Sequence, residues 1–220
     1  LFEHRGQGLL PAHSAGLLEA GRLSQRYGSL QQSLLALGPG ERRLVAHGGL
    51  QAELLWHGEA LVLCHSAQVR CAHHQELWLA LLLATAAGAA PSRGLLIGRD
   101  GDLFRPVAQI IPPASALEAS SLLEQRITWR EQGRQHCWPL PPETGWSFAQ
   151  AEHRLIGSGR AKAIEAWEGG PNRRAERQQA SLALCFGADR PGRDLVDGAF
   201  GALASAFHGP LLERLELVKA

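Results

Sequence analysis

The sequence predicts an α/β domain: a central mixed sheet flanked by helices, followed by a helical C-terminal half. Three observations carry that expectation. Short apolar runs broken by glycines follow one another between residues 43 and 65, as in an antiparallel meander. A helix-length stretch, Ala72 to Ala87, is apolar almost all round, the pattern of a helix buried on several sides. Beyond residue 114 the apolar positions recur at helical spacing.

Taken in order, residues 1–12, ending in Gly8-Leu9-Leu10-Pro11, read as a linker leading into a domain over 13–220. In that domain a helix, meander, helix and strand core occupies 13–107, and a helical part 114–220. Ser14 is placed to cap a helix whose apolar face is Leu23, Tyr27, Leu30, Leu34 and Leu37. Gly38-Pro39-Gly40 stops it. Arg43–His47, Leu50–Trp56 and Ala60–His65 then form the strands, punctuated by Gly48-Gly49 and His57-Gly58. After the buried helix, Leu95–Gly98 and Leu103–Arg105 flank the turn signal Asp100-Gly101. Ser115 and Glu118 form a capping box for a helix to Gly133. Helices follow from about Thr144 and after Ser158, and a polar loop spans Gly169 to Gln179. Asp194 is expected to cap a helix ending at Gly209-Pro210, with a last short helix from Leu211.

The 220 residues suit one medium domain, and 45% hydrophobic against 20% charged residues supports a folded core. Net charge is +1, from 22 basic and 21 acidic residues. A stand-alone nucleic-acid-binding module carries a clear basic excess, because phosphate neutralisation supplies much of its affinity. Contact with DNA here therefore falls to a local patch or to partners, and duplex binding by the isolated domain is expected to be weak. The absence of methionine and the abrupt start at Leu1-Phe2-Glu3-His4-Arg5, without signal-peptide layout, predict a C-terminal piece of something longer. The longest apolar run, Leu77 to Ala87, falls well short of the ~20 residues a bilayer requires. Cys64, Cys71, Cys137 and Cys185 have no close-spaced framework and read as reduced, mostly buried thiols of a cytosolic protein.

Several chemistries are tested by these residues. No Walker-type glycine loop is present, so the chain is not a motor domain. Gly157-Ser158-Gly159 lacks the glycine two residues before the serine that a nucleophile elbow needs, and helix capping accounts for Ser158 better. Cys64, His65, Cys71, His73 and His74 are zinc-type donors, but without a Cys-x-x-Cys or His-x-x-x-His pair. Buried thiols and a helix-start histidine pair are the plainer reading, so no metal or other cofactor is expected.

The helix, three-strand meander, helix, strand order is also the core of restriction-endonuclease-like (PD-(D/E)xK-type) nucleases. Such a site needs a carboxylate on the second strand, then a carboxylate and a lysine two residues apart on the third, to hold magnesium and activate water. Aligned on the glycine turn, those positions fall on Ala52, Cys64 and Ser66. None can ligate magnesium. Glu53 is one residue out of register, which on a strand means the other face; Glu59 lies in the turn, and the lysines, Lys162 and Lys219, are remote in sequence. The expected core is nuclease-like and catalytically empty.

The motifs, in this order, resemble the C-terminal domain of the RecC family, the gamma subunit of exodeoxyribonuclease V. They are Gly8-Leu9-Leu10-Pro11 with Ala15-Gly16, the glycine-broken meander, the Leu77-Trp78-Leu79 helix and the Arg93–Pro106 hairpin. Leu140-Pro141 with Glu143, Ala166-Trp167-Glu168-Gly169 with Glu176, and Pro210-Leu211-Leu212 complete them. The chain is richer in alanine and leucine than the family pattern. The resemblance implies a nuclease-derived fold without nuclease activity, in a RecBCD-type helicase-nuclease that resects double-strand breaks for homologous recombination. It implies a domain where duplex DNA is split, contacting RecB-like and RecD-like motor subunits and forked DNA. Arg93, Arg99 and Arg105 on the hairpin, and Arg173, Arg174 and Arg177 on the polar loop, are candidates for strand or partner contact, set against a plain solvated surface. Trp129, Trp138 and Trp146 are expected to pack in the core or a subunit interface, base stacking being their other use.

Overall fold

Six strands form one sheet in the order β1-β2-β3-β4-β5-β6 in a computed structural model that describes residues 13–135, 137–170 and 174–218. The leading linker, Arg173 and Lys219 lie outside the described residues. Helix α1 (His13–Leu35) precedes the meander β1 (Gly40–His47), β2 (Leu50–His57) and β3 (Ala60–Gln68). Helix α2 (Cys71–Ala86) carries the chain across to β4 (Arg93–Asp100), which is parallel to β3, while the other pairings are antiparallel. β5 (Leu103–Ile110) completes a hairpin with β4.

The turns form where the sequence supplies glycine. Gly48 and Gly49 both take positive φ, 57° and 80°, as the two-residue turn that matches strand twist demands. The strands are longer than their apolar runs, because exposed polar residues at their ends still pair in the ladder.

Each face of the sheet is covered. On one, Leu30, Leu34 and Leu37 of the α1 segment pack against Ala60, Val62, Leu95, Ile97 and Phe104. Ser29 and Ser33 of α1 fix that contact by hydrogen bonds to the Phe104 backbone, both 2.9 Å. Leu23 and Tyr27, expected on the same buried face, are exposed, because the first half of α1 runs beyond the packed sheet. On the other face α2 is buried on most sides: Leu77, Trp78, Leu81 and Leu82 are each 0% exposed, while Glu76 and Leu79 stay exposed. They meet Trp56, Leu61, Leu96 and Ile110 from the sheet.

The C-terminal half is mainly helical: α3 (Ala116–Gln135), α4 (Pro142–Arg154), α5 (Gly159–Glu168), α6 (Ala180–Phe186), α7 (Gly192–Leu195) and α8 (Gly198–Leu212). Ala163, Trp167, Val196, Phe200 and Ala204 make a second cluster there. Ser115 Oγ accepts the Glu118 N–H at 3.2 Å, while the Glu118 carboxylate reaches back to Ala114 rather than to Ser115.

Four expectations need correction. Asp197, not Asp194, caps the last long helix, accepting the Phe200 N–H at 2.8 Å. Pro210 lies inside α8, near its end, so it does not stop the helix. No helix starts at Leu211; the chain returns as β6 (Leu215–Leu217) beside β5, pairing Ala108 with Leu217. Ser158 is not a side-chain cap either: its hydroxyl donates back to the carbonyls of Ala151 and Leu155. Glu152 accepts the Gly157 and Gly159 N–H groups instead.

Candidate nucleic-acid interface

The β2–β3 pair is where a nuclease of this core type would hold its metal. β1 and β2 pair along their whole length, from Gly40 opposite His57 to His47 opposite Leu50. β2 and β3 pair only at Trp56–Leu61 and His57–Ala60, then part. The pairing of β3 with β4 is also irregular between Cys64 and Gln68. Ala52–Glu53 and Cys64–Ser66 therefore lie where the two strands are not paired.

Ala52, Cys64 and Ser66 are not brought together on one face. Ala52 packs with Leu54, Trp56, Leu61 and Leu63 on the α2 side, whereas Cys64 packs with Leu55 and Val62 on the α1 side. The register explains the difference: with Trp56 opposite Leu61, stepping outward places Glu53, not Ala52, on the face of Cys64. Glu53 is exposed and paired with Arg42 at 3.2 Å, Ser66 is exposed, and burial pushes the Cys64 thiol pKa up. One carboxylate facing a neutral thiol and a hydroxyl lacks the converging acids that a magnesium ion requires.

The zinc-type donors are dispersed as well. His65 stacks on His73 with ring centres 3.6 Å apart, the Cys71 thiol donates to Glu143 at 3.3 Å, and His74 stacks on Trp146. Among the described residues no group of three or more His, Cys, Asp or Glu side chains is placed to hold a metal ion.

A second concavity lies at the β3–α2 junction. It has a volume of about 740 Å³ and is walled by Gln68, Arg70 and His74 on one side and by Trp146, Arg174 and Gln179 on the other. Its floor is fixed by Glu176, a buried carboxylate that accepts the N–H groups of Glu143 (2.8 Å) and Thr144 (2.6 Å) and the Thr144 hydroxyl (2.6 Å). Those bonds cap α4 from a distant loop. Burial raises the Glu176 pKa, and the bonds from Thr144 and Glu143 oppose that rise. Burial first, then the neighbouring Glu143, raises the Cys71 pKa far above the usual thiol range, so this cysteine is no nucleophile. Burial depresses the His74 pKa to about 4, with His73 adding to it.

The arginine candidates divide by position. Arg93 begins β4, beside Gln109 at 3.5 Å, and Arg99 lies six residues further, roughly 20 Å along the strand. Arg105 is ion-paired with Asp100 across the hairpin. Arg99 pairs with Gln68, which lines the cleft, and exposed Arg174 lines it directly. Arg177 is half-buried on a short 3-10 turn, Glu176–Gln178. Arg70, which also lines the cleft, was not singled out in the sequence, and His74 was named there only as a zinc-type donor.

The tryptophans are packed. Trp146 is buried between His74 and His208, while Trp129 and Trp138 cluster with Phe207. Beneath that cluster the buried Arg126 guanidinium lies 3.9 Å over the Phe207 ring and donates to the Phe207 carbonyl. Burial lowers its pKa to about 10.

The model of the RecC C-terminal domain matches residues 3–153, more than half of the chain. The chain belongs to the RecC C-terminal domain family. The matched stretch takes in β1 to β5, α1 to α3 and nearly all of α4, and stops before the loop that carries Arg174 and Glu176. Membership ties the chain to a RecBCD-type role in DNA repair and recombination, RecC being a subunit of an exonuclease complex. No curated protein matches the chain. Among the described residues no helix is long and apolar enough to cross a membrane.

Proposed function

We propose that the chain is a pseudo-nuclease domain of restriction-endonuclease-like descent that has lost its catalytic site. In this reading it helps split duplex DNA and scaffolds RecB-like and RecD-like motor subunits in the cytoplasm. One observation carries the loss of catalysis. The β2–β3 ladder parts after two pairs, and the strand positions that a nuclease would use hold Ala52, Cys64 and Ser66, with Glu53 exposed and paired to Arg42. A two-carboxylate magnesium site and its activating cation are not assembled there.

Rigidity supports the mechanical part of the reading. A splitting element must hold shape while motors draw strands past it, and the candidate surface rests on a six-stranded sheet and the largely buried α2. Buried Glu176 ties the 174–180 loop to α4 with three hydrogen bonds, so the cleft wall is braced.

The test is a complex reconstituted with its motor subunits on a forked duplex, with a photo-cross-linker placed at Arg99 or Arg174. Cross-links concentrated at the fork are expected, and their complete absence from this domain would leave the reading without support. A parallel incubation of the full chain with single-stranded DNA and manganese should give no cleavage. Robust cleavage abolished by Glu53→Ala would overturn the loss of catalysis.

A further inference from the structure

We propose that Cys137 and Cys185 form a reversible intramolecular disulfide, a modification site that responds to peroxides or to low-molecular-weight disulfides of the glutathione class. The four cysteines are free, and their surroundings divide them. Cys71 is buried and donates to Glu143, and Cys64 is half-buried in β3. Cys137 and Cys185 are both exposed, although about fifty residues of chain separate them. They line one open depression of about 430 Å³, together with Arg134, Trp138, Leu182 and Phe186.

Packing holds the two thiols near each other from both sides. Cys137 lies between α3 and α4, beside Trp138, whose ring packs on Trp129 and Phe207 at 5.5 and 5.6 Å between centres. Cys185 lies near the end of α6, beside Phe186, whose ring meets Trp167 edge-on at 5.9 Å. Leu140, Leu182 and Phe186 continue that wall into the second core cluster. The Cys137 thiol is hydrogen-bonded to Cys185, and that bond raises its pKa above the usual thiol value.

Closing the bond asks little of the backbone. A disulfide needs its Cβ atoms about 3.8 Å apart. Helix α6 has seven residues and none of them is buried, so it can adjust without opening the core. With hydrogen peroxide, one thiolate attacks the O–O bond to give a sulfenic acid, and the other oxygen leaves as water. The second thiol then attacks the sulfenic sulfur and a second water departs. The two sulfurs lose two electrons and the peroxide gains them. With a low-molecular-weight disulfide, exchange through a mixed disulfide gives the same bond and releases two reduced thiols. In a reducing compartment such a bond is transient, as suits a sensor rather than a permanent staple. Once closed, it ties α6, which follows the loop bearing Arg174 and Glu176, to the segment between α3 and α4. Cys137 lies within the family-matched stretch and Cys185 beyond it, so the bond joins those two parts.

The full chain is reduced, freed of reductant, and exposed to stoichiometric hydrogen peroxide or to a glutathione redox series. Its peptides are then mapped under non-reducing conditions. The expected product is a monomeric chain lighter by two hydrogens, with the Cys137 and Cys185 peptides joined and both thiols restored by dithiothreitol. Cys64 and Cys71 should remain open to alkylation once urea is added. Closure should raise Tm by about 5 °C or more, because the bond closes a long loop of the unfolded chain. Cys137→Ser and Cys185→Ser, both at exposed positions, should fold as the natural chain does. Each should lose the link and the rise in Tm on oxidation. Separate sulfinic acids or glutathione adducts on the two cysteines, without a linked peptide, would overturn the proposal. So would a link that forms only between two chains, or only in urea.

Discussion

Acidification between pH 7 and pH 5 should destabilise the fold through two buried histidines. His74 is 8% exposed and His208 is 2% exposed, and both rings pack against Trp146. Burial holds their pKa values at about 4 and about 3, against 6.5 for the free side chain; His73 adds to the first shift and Arg126 to the second. A histidine depressed in the fold contributes stability that is present above 6.5 and lost as pH falls through the folded value. Unfolding in that window takes up a proton at each ring, a slope of about 1.4 kcal/mol per pH unit per group. From pH 7 to pH 5 each ring therefore gives up about 2 kcal/mol, and the pair about 4 kcal/mol. Glu176, whose raised pKa acts in the opposite direction, offsets part of the total. The decisive quantity is thus the difference between the natural chain and His208→Gln, which keeps a polar group beside Gln75, the 2.9 Å partner of His208 Nδ1. Urea unfolding followed by tryptophan fluorescence reads it. The variant should lose about 2 kcal/mol less than the natural chain over the two pH units. Equal losses in the two proteins would refute the assignment of a buried neutral His208.

Glu176→Ala leaves three donors at the start of α4 without their acceptor, and should cost about 3 kcal/mol or more in urea unfolding, with Glu176→Gln intermediate. Gly98→Ala would set a Cβ 2.2 Å from Val69 Cγ2, so thermal unfolding should fall by the ~1–3 kcal/mol typical of an overpacked site. Cys137 and Cys185 are exposed and Cys71 is buried against Glu143. Peptide mapping after iodoacetamide treatment of the native chain should show the first two modified and Cys71 spared until urea is added.

Local chemistry made much of the fold legible, and tertiary context accounts for what was not. Helix α2 could be read because Leu77, Trp78, Leu81 and Leu82 leave it no polar side, and the hairpins because Gly48-Gly49 and Asp100-Gly101 demand tight turns. The periodicity of α1 gave its face correctly, but not where the packed sheet would end beneath it, so Leu23 and Tyr27 stand exposed. Strand β6 is three residues long and exists through its pairing with β5, which lies more than a hundred residues away in sequence. The nuclease alignment failed on register: a two-residue turn at Gly58-Glu59 fixes Trp56 opposite Leu61, and a one-residue error exchanges the faces of Ala52 and Glu53. The cleft was illegible because its walls come from residues 68–74, 143–146 and 174–180, which only the folded chain assembles.

Overall charge does not show how individual charged side chains are used. The chain's +1 balance counts Glu176, Asp197 and Glu152 as free anions, yet each accepts backbone N–H bonds at a helix start or turn. Others face cations: Asp102 meets Arg22 and Arg26, and Glu118 meets Arg214. Arg70 and Arg174 have no such counterpart among the described residues and share one cleft. Because field decays within about 8 Å at physiological salt, what these two cations present is set within the cleft, where the carboxylates of Glu143 and Glu176 lie beside them.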